Sequence, residues 1–421
     1  MQTALGDRLP AARGSSPSFV KGWCPTVYEP MLAADGWLAT LKPRVRGWTA
    51  AELHYLAATA ERHGAVRFVL TNRGNLQVRG LARESAPHFA AAMRSAGLAS
   101  ADVAAERRRN LLMSGAQTPE SEAIALELES WLESAPILSE LPGKFRFAVS
   151  AECSPGIERA ADISIQVRER GAWVAAGGGE AGTWTEEPTA AVRSLAGAFV
   201  ALARSHLPRP RRFQELGSLV GWQAVFAAAG LAMERCTLAA RAHAQRSVGV
   251  LSGMRFGLGV PFGRATALML HAVAQLAERH GSGRIRLGAA RAFILLDTAP
   301  QALPSLSRQA RLQELIVDEC DPRLRVCACE GGNGCSSTVT DVLALAATLA
   351  PLWQAEGVLH LSGCRKGCAY PQAAAVTLVP ADSGGSFTLL RNSRADGVPA
   401  GTLSLVDLDK LLRTAGSGCA R

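Results

Sequence analysis

The sequence predicts an α/β protein that arose by duplication, with two small units alternating with two larger ones. At 421 residues the chain exceeds one ordinary domain. Residues 49–64 share the pattern Thr-x4-His-x6-Glu-Arg-His-Gly with residues 266–281, an offset of 217. A weaker similarity relates residues 148–165 to residues 361–378. Together these repeats indicate that a helix, the strand after it and a longer segment were all duplicated.

The first small unit is predicted to contain a strand, a helix and two further strands. Residues 37–42 form the expected first strand. Thr49 is a suitable N-cap for the helix, because Glu52 three residues later completes a capping box. The His-Gly pair at 63–64 is typical of a helix end. The later strands are expected at 66–70 and 75–78, around a turn at 72–74.

Two cysteine pairs in glycine-rich surroundings are the clearest chemical signal. Five residues separate Cys329 from Cys335, and three separate Cys364 from Cys368. Four thiolates suit tetrahedral zinc or a 4Fe–4S cluster. Zinc pairs usually leave about two to four residues between their cysteines, so the wider gap favours the cluster. Glycines can bring backbone N–H groups close to the sulfides, and we expect this of Gly331, Gly332, Gly334, Gly363 and Gly367.

Other interpretations of these cysteines remain open. Besides zinc, they could form a disulfide or be inert buried thiols. Nothing marks the protein as secreted, and thiols inside cells are normally kept reduced. Cys327, two residues before Cys329, is expected to be a neighbour of the site rather than a fifth ligand.

The composition limits the classes of partner. The formal net charge of +9 indicates either an arginine-rich solvated surface or a polyanionic ligand. Nucleic acid is not expected, because aromatic residues make up only 5% of the chain and no basic stripe is interleaved with them. The N-terminus lacks a signal-peptide pattern, and apolar runs such as 221–233 and 342–353 are shorter than a membrane span of about 20 residues. We therefore expect a cytoplasmic protein with no membrane partner.

The cysteine spacing resembles the cluster motif of the sulfite and nitrite reductase superfamily. The sequence LHLSGCRKGCAYP around Cys364 is most similar to the precorrin-3B synthase branch. The same holds for GVPFGR at 259–264 and for the dipeptides Cys-Pro at 24–25, Pro-Met at 30–31 and Asp-Gly at 35–36. The resemblance extends from about residue 20 to about residue 380. It implies a sulfite-reductase-like architecture about a pseudo-twofold axis, in which two ferredoxin-like half-domains pair and two larger α/β domains flank a cleft.

This resemblance divides the chain into six expected segments. They are a flexible N-terminus at 1–20, a first ferredoxin-like half-domain at 21–100, a first α/β domain without cluster at 101–207, a linker region at 208–245, a second ferredoxin-like half-domain at 246–312 and a 4Fe–4S cluster domain at 313–421. The first α/β domain has only Cys153 in the corresponding region, so we expect it to hold no cluster.

Seven polar residues are expected, by the same resemblance, to bind the carboxylates of a macrocycle. They match the family's T-x-R-x-N-x-Q strand, its R-N contact and its K-F-K pair: Thr71, Arg73, Asn75, Gln77, Arg109, Lys144 and Arg146. On an extended strand the first four would project from one face, and arginine and lysine suit carboxylates. The corresponding second-copy segment at 288–295 has lost this polar alternation and is expected to be structural. A solvated edge strand and ordinary surface charge are the alternatives.

Two positions depart from the family pattern. The reductases carry an anion-binding arginine on the first strand, and the matching position is Thr40, with Lys42 on the same face two residues later. The synthases are expected to have histidine after the last cluster cysteine, where this chain has Tyr370. Tyrosine can still donate a hydrogen bond there but would alter the site.

The resemblance implies an iron–sulfur monooxygenase of aerobic cobalamin biosynthesis. It would convert precorrin-3A to precorrin-3B with dioxygen and a reductant, drawing electrons from a donor such as NADH or a reductase. The cysteines Cys329, Cys335, Cys364 and Cys368 would hold the 4Fe–4S cluster, and no residue is assigned to oxygen binding. The alternatives are a sirohaem-dependent and 4Fe–4S-dependent sulfite or nitrite reductase, and a non-catalytic iron–sulfur electron-transfer protein.

Overall fold

The structure is a computed structural model, and it describes most of the chain. The described ranges are 24–115, 117–151, 161–179, 181–235, 247–251, 253–288, 291–381, 385–404 and 406–408. The expected N-terminal segment 1–20 and Cys153 lie outside the described residues. Within these ranges, no helix combines the length and apolar character needed to cross a bilayer.

The first small domain pairs one antiparallel sheet with two helices. Its elements are β1 (Met31–Ala33), β2 (Gly36–Leu41), β3 (Trp48–Thr49), α1 (Ala50–Arg62), β4 (Arg67–Leu70), β5 (Leu76–Leu81) and α2 (Ala86–Ser95). The expected capping box is confirmed, because Thr49 accepts the Glu52 N–H and Glu52 accepts the Thr49 N–H. The sheet buries its apolar side chains against α1 and α2.

The first large domain is built on a six-stranded sheet. Its elements are α3 (Val103–Arg108), β6 (Leu111–Met113), α4 (Pro119–Ser134), β7 (Phe147–Ser150), β8 (Ile163–Arg168), β9 (Gly171–Ala176), β10 (Ala181–Thr185), α5 (Pro188–Ala203), α6 (Phe213–Val220), α7 (Trp222–Ala228) and β11 (Glu234–Arg235). Strands β6, β7 and β8 are parallel, and β9 and β10 continue the sheet in antiparallel fashion. Gly177, Gly178 and Gly179 form a turn between β9 and β10.

The helices α6 and α7 lie within the segment 208–245 that was predicted to be a linker. Phe213, Leu216, Val225 and Phe226 are fully buried in the core of the first large domain. Their apolar spacing gives each helix one buried stripe, so this segment belongs to the domain rather than connecting two domains. The linker prediction is therefore wrong for residues 213–228.

The second half of the chain repeats this order. The second small domain contains β12 (Gly249–Leu251), β13 (Arg255–Gly259), β14 (Arg264–Ala265), α8 (Ala267–His280), β15 (Arg284–Gly288), β16 (Ala292–Leu295) and α9 (Leu303–Leu312). The second large domain contains β17 (Val326–Ala328), α10 (Val342–Leu349), β18 (Leu359–Leu361), β19 (Ala374–Pro380), β20 (Ser386–Ser393) and β21 (Gly401–Ser404).

The two small domains exchange strands across the predicted pseudo-twofold axis. Strand β3 of the first pairs with β15 of the second, where Trp48 faces Ile285. Strand β14 of the second pairs with β4 of the first, where Ala265 faces Phe68. The same 217-residue offset relates both pairs, as it relates the packed helices α1 and α8, whose His54 and His271 rings meet with Nδ1 atoms 2.6 Å apart. The duplicated architecture predicted from the sequence is thus visible in the strand register.

The two large domains share the register of their first three strands. In the first, the parallel pair β6–β7 aligns Met113 with Val149. In the second, the parallel pair β17–β18 aligns Ala328 with Leu361. The strand then ends in the same way in both copies, since the N–H of Ser114 and the N–H of Cys329 each donate to the next strand at 3.2 Å. Ser114 therefore stands where the second domain has a predicted cluster ligand.

Candidate functional site

The four cysteines of the two predicted pairs leave the same edge of the second large sheet. Cys329 directly follows β17, and Cys364 follows β18 after two residues. Because β17 and β18 are parallel neighbours, both connections emerge at their carboxyl ends. The short C-x5-C and C-x3-C segments carry Cys335 and Cys368 back toward this edge.

The thiols of all four cysteines lie close enough to influence one another. Burial raises the pKa of Cys329, and the neighbouring Cys364 and Cys335 raise it further. Partial burial likewise raises the pKa of Cys368, followed by the effects of Cys364, Cys329 and Cys335. A positively charged centre would reverse this tendency, because metal ions stabilise coordinated thiolates.

The glycines around the pairs create the close packing that this centre requires. A Cβ atom on Gly363 would lie 2.4 Å from Thr338 Cγ2 and 3.4 Å from Cys329 Sγ. Gly331 has φ of 62°, and a Cβ there would lie 2.6 Å from the Thr340 carbonyl oxygen. The Gly363 N–H donates to Cys329 Sγ at 3.1 Å, which is the backbone-to-sulfur hydrogen bond typical of iron–sulfur sites.

Four thiolates form the donor set, which is the ligand set of a 4Fe–4S cluster. Among the described residues, no three His, Cys, Asp or Glu side chains converge in the manner of a single-ion site. A 4Fe–4S cluster binds each thiolate through a different iron, so its ligands need only surround a common volume. Four mutually interacting thiols on glycine-lined bends meet that requirement.

Three arginines hold the C-x5-C segment against the small domains. Glu330, next to Cys329, lies 2.7 Å from Arg264 Nε, 3.3 Å from Arg67 Nη1 and 3.9 Å from Arg79 Nε. Burial lowers the pKa of Arg264 to about 10, while the Glu330 carboxylate opposes this shift. Arg264 belongs to the GVPFGR turn, so this motif has a physical role in placing the cysteine loop.

Residues Thr71, Arg73 and Asn75 occupy a hairpin turn rather than an extended strand. Thr71 Oγ1 accepts the N–H groups of Arg73 and Asn75 at 3.3 and 3.1 Å, and it donates to the Asn75 carbonyl at 3.1 Å. Gly74 completes the turn with φ of 66°. The expected alternation along one face therefore does not apply before Leu76, and the Thr71 hydroxyl serves the turn.

Arg73 and Arg146 are brought together in a group of cations that we call the cationic cluster. It consists of Lys42, Arg73, Arg146 and Arg212; the first three lie near the Cys24 thiol, and Arg212 lies near Arg146. Arg73 Nη1 donates to Cys24 Sγ at 3.2 Å. Burial, together with the charges of Arg212 and Arg73, lowers the pKa of Arg146 to about 10. Cations that repel one another in this way favour an anionic ligand.

Asp162 fixes the two arginines that the first large domain contributes. It is 2% exposed. One carboxylate oxygen accepts the Arg146 backbone N–H at 2.9 Å, and the other accepts Arg212 Nε and the Phe213 N–H at 2.9 and 2.8 Å. The carboxylate thus orients the backbone of one arginine and the side chain of the other.

Lys42 lies at the base of the cationic cluster and is 4% exposed. Its ammonium donates to the carbonyl oxygens of Glu106 and Arg107 at 2.7 and 2.9 Å, at the C-terminal end of α3. Burial lowers the pKa of Lys42 to about 8, and the charge of Glu106 partly compensates. Lys42 therefore combines a structural contact with a charge that is easily neutralised.

Arg109 differs from its expected role in ligand binding. It is 2% exposed and pairs with the carboxylates of Glu106 and Glu129 at 3.0 and 3.4 Å. Its Nη2 also donates to the Lys42 carbonyl at 2.6 Å. Because these protein groups occupy both Nη atoms, the structure assigns Arg109 to the core, where it joins α3 to α4.

The remaining predicted ligand residues are Lys144, Asn75 and Gln77. All three are half-buried. Gln77 faces Thr40 across the β2–β5 pair. The Thr40 hydroxyl is 5% exposed and has no hydrogen-bond partner in the part of the chain that the structure describes. Both positions point away from the apolar side of this sheet.

Sequence reasoning missed Arg212, Cys24 and the acidic residues that place the cations. Arg212 belongs to an arginine-rich stretch that was read as a linker, and Cys24 was noted only as part of a Cys-Pro pair. The proximity of these residues to Arg73 depends on tertiary folding over 49 to 139 positions, which no local pattern encodes.

Two surface cavities lie apart from both groups of residues. One of about 620 Å³ lies between Tyr28 and α2, and one of about 440 Å³ lies beside Val339 and Phe387. Neither is lined by the cationic cluster or by the four cysteines. The site is therefore defined by its charged and sulfur groups and not by cavity size.

Comparison with known proteins identifies relatives of this fold. A family model described as the nitrite/sulfite reductase ferredoxin-like half domain matches residues 252–312. A precorrin-3B synthase from Sinorhizobium sp is 29% identical over 417 residues, covering 95% of this chain and 89% of that protein. A ferredoxin–nitrite reductase from Synechococcus elongatus is 25% identical, covering 78% of this chain and 73% of that protein.

A solved structure shows the same fold. The NirA protein of Mycobacterium tuberculosis superposes with a TM-score of 0.73 at 19% identity, over 91% of this chain and 82% of that one. Together with the half-domain match, this likeness confirms the duplicated architecture that was predicted from the sequence.

Proposed function

We propose that this chain, which contains a nitrite/sulfite reductase half-domain match and is similar to a precorrin-3B synthase along most of its length, is an iron–sulfur monooxygenase that converts precorrin-3A to precorrin-3B. One oxygen atom of dioxygen enters carbon 20 of the macrocycle as a hydroxyl group, and a γ-lactone forms. The other oxygen atom leaves as water, with two electrons and two protons supplied through a reductant.

One observation carries this proposal: the polar face of the first small sheet reaches both groups of site residues. Alternation along β2, β4 and β5 directs Ala39, Leu41, Leu70 and Val78 into the core. The opposite face presents Arg79, which donates to the Gly334 carbonyl in the cysteine loop at 2.7 Å. Lys42, just beyond the end of β2, continues this face into the cationic cluster. An acidic macrocycle held by the cations would therefore lie beside the four thiols.

The residues have separate tasks in this proposal. Cys329, Cys335, Cys364 and Cys368 hold the 4Fe–4S cluster, which when bound supplies single electrons. Arg73, Arg146 and Arg212 bind and orient the carboxylates of the substrate, and Lys144 adds a point charge. Arg109 and Asp162 keep the neighbouring chain in place and do not contact the ligand.

The test begins with anaerobic purification and analysis of iron and sulfide. The protein is then incubated with precorrin-3A, a reductant and isotopically labelled dioxygen. We expect four iron and four sulfide per chain, and a product that is heavier by one labelled oxygen atom. An Arg146→Met variant, which retains every cysteine, should keep its iron and lose most of the turnover.

Other outcomes identify the alternatives. Sirohaem absorption in the purified protein, with turnover of sulfite or nitrite, would assign the reductase function instead. A full complement of iron with no turnover of either substrate class would leave an electron-transfer protein. Either result would overturn the monooxygenase proposal.

A further inference from the structure

His360 occupies the middle of a row of three polar or sulfur-containing residues on the second large sheet. It is 0% exposed, and its neighbours in register are Cys327 on β17 and Thr377 on β19. The adjacent positions Leu359 and Leu361 face the opposite side and belong to the hydrophobic core of the domain. Alternation along β18 therefore directs His360 away from that core.

The C-x3-C bend covers the imidazole of His360. A Cβ atom on Gly367, within the bend, would lie 3.5 Å from His360 Cε1. The Tyr370 ring, just after the bend, meets the imidazole edge-on with ring centroids 6.0 Å apart. His360 is thus enclosed between the sheet and the segment that carries Cys364 and Cys368.

The imidazole has no polar partner within the described polypeptide. Neither Nδ1 nor Nε2 makes a hydrogen bond to any described residue. Burial lowers the pKa of His360 to about 4, and the positive charge of Arg291 contributes, so the ring is neutral near pH 7 and keeps one N–H donor. A buried N–H donor without an acceptor lowers the free energy of unfolding. We therefore expect an acceptor outside the described polypeptide.

The duplicated domain provides an internal reference for this position. In the first large domain, the register that aligns Met113 with Val149 places Ala148 where His360 lies in the second. Ala148 is 1% exposed and packs in an apolar cluster with Leu112, the counterpart of Cys327. The copy with the cysteine pairs has histidine at this position, and the copy with Ser114 at the ligand position has alanine.

We propose that the His360 imidazole donates a hydrogen bond to the 4Fe–4S cluster held by the bend above it, and so raises the reduction potential of the cluster. His360 is a positioning residue in this role. Reduction adds negative charge to a cluster, and nearby N–H donors stabilise the reduced form. The inference rests on the proposed function, because it requires the four cysteines to hold a cluster.

The test is a redox titration of the purified holoprotein, followed by electron paramagnetic resonance. Replacing the donor, as in His360→Leu, should lower the potential so that the ratio of reduced to oxidised cluster falls about tenfold, or about 59 mV for one electron. His360→Gln retains an N–H donor and should recover most of the shift. Thr377→Val is the matched control, since its hydroxyl already donates to the Ser393 carbonyl at 3.2 Å.

A second measurement separates donation from packing. Without iron, His360→Leu should unfold at a higher denaturant concentration than the wild-type apoprotein, because it removes a buried donor that lacks an acceptor. Loss of iron from His360→Leu but not from His360→Gln would also support the inference. Equal potentials in both variants and the wild type, or equal loss of iron from both variants, would overturn it. A wild-type protein without iron and sulfide would instead overturn the proposed function.

Discussion

The two large domains share the strand register of their sheets but carry different side chains at equivalent positions. Where the second has Cys329, the first has Ser114, and each donates its backbone N–H to the neighbouring strand at 3.2 Å. Where the second has His360, the first has Ala148. The two copies thus share a backbone frame and differ in a few side chains, and under the proposed function these differences determine which copy holds the cluster. In the same proposal the first copy supplies Arg146 and Arg212 for the carboxylates of the substrate.

The two small domains diverged in a complementary way. The register of β2 with β5 and of β13 with β16 makes Lys42 the counterpart of Gly259, and Thr40 the counterpart of Gly257. A Cβ atom on Gly257 would lie 2.1 Å from the Ser247 carbonyl oxygen, so the chain covers this face closely. At these two positions, the first small domain therefore has polar side chains and the second has none.

Exchanging the ligand position between the copies gives the largest expected effect. Cys329→Ser should lose nearly all iron and sulfide, and with them the oxidation of precorrin-3A, because one thiolate ligand is removed. Ser114→Cys should keep the wild-type iron content, because the Ser114 side chain is bonded to Gln117 at 3.0 Å and residues 101–207 contain no cysteine except Cys153. Iron analysis and the visible spectrum measure both. Full iron in Cys329→Ser would contradict the assignment of this ligand.

Lys42 offers a test that depends on pH. The folded pKa of about 8 lies below the reference value of 10.5, so the unfolded chain binds more protons between these values. The cost of burying the charge is fully present below pH 8 and disappears as the pH rises toward 10.5. The stability of the wild type relative to Lys42→Met should therefore rise across this window by up to about 3 kcal/mol.

Denaturant titrations from pH 7 to pH 10 measure this difference. Lys42→Arg is the control, because arginine stays charged throughout the window. Its stability relative to Lys42→Met should be nearly constant. If the wild type follows Lys42→Arg, then Lys42 keeps its charge and is not the neutralisable group of the cationic cluster.

The fold was predictable where the sequence repeats itself. The offset between Thr49 and Thr266 predicted two equivalent helices, and these helices pack at His54 and His271. The strand exchange was not predictable, because β3 and β14 are two residues long and carry no periodicity. The helices at 213–228 were missed because the preceding prolines and arginines indicated a linker.

In the candidate site, too, features encoded in short segments were predictable, and features that depend on tertiary contacts were not. The cysteine pairs and their glycines lie within short segments, so spacing alone suggested a cluster. Arg109 shows the limit of motif matching, since its side chain turns into the core toward Glu106 and Glu129. Arg212 shows the converse, because its approach to Arg146 through Asp162 exists only in the folded chain.

The cationic cluster should respond to the loss of a single member. Arg146→Met should weaken binding of an acidic tetrapyrrole by about 10-fold to 100-fold, the range for one hydrogen bond to a charged group. Arg193→Met is the charge-matched control, because Arg193 pairs with Glu127 on the exposed surface of the same domain and should change binding by less than about twofold. Equilibrium dialysis measures the binding of both variants. If both bind the tetrapyrrole equally weakly, the net charge of the protein and not the cationic cluster determines the affinity.

The contacts between small and large domains give the smallest expected difference. Glu330 meets three arginines at the junction that carries the cysteine loop, whereas Glu122 of the first large domain meets Arg286 alone among the ion pairs of the described residues. Glu330→Gln should lower the free energy of unfolding by about 2 kcal/mol, because the Glu330 carboxylate is only 12% exposed and compensates three arginines. Glu122→Gln should cost about 0.5 kcal/mol, since Glu122 is 32% exposed. Chemical denaturation of the two apoproteins compares them directly. Equal losses of unfolding free energy would mean that the ion pairs at the cysteine loop stabilise the protein no more than the Glu122–Arg286 pair does. The two copies would then differ in metal binding alone.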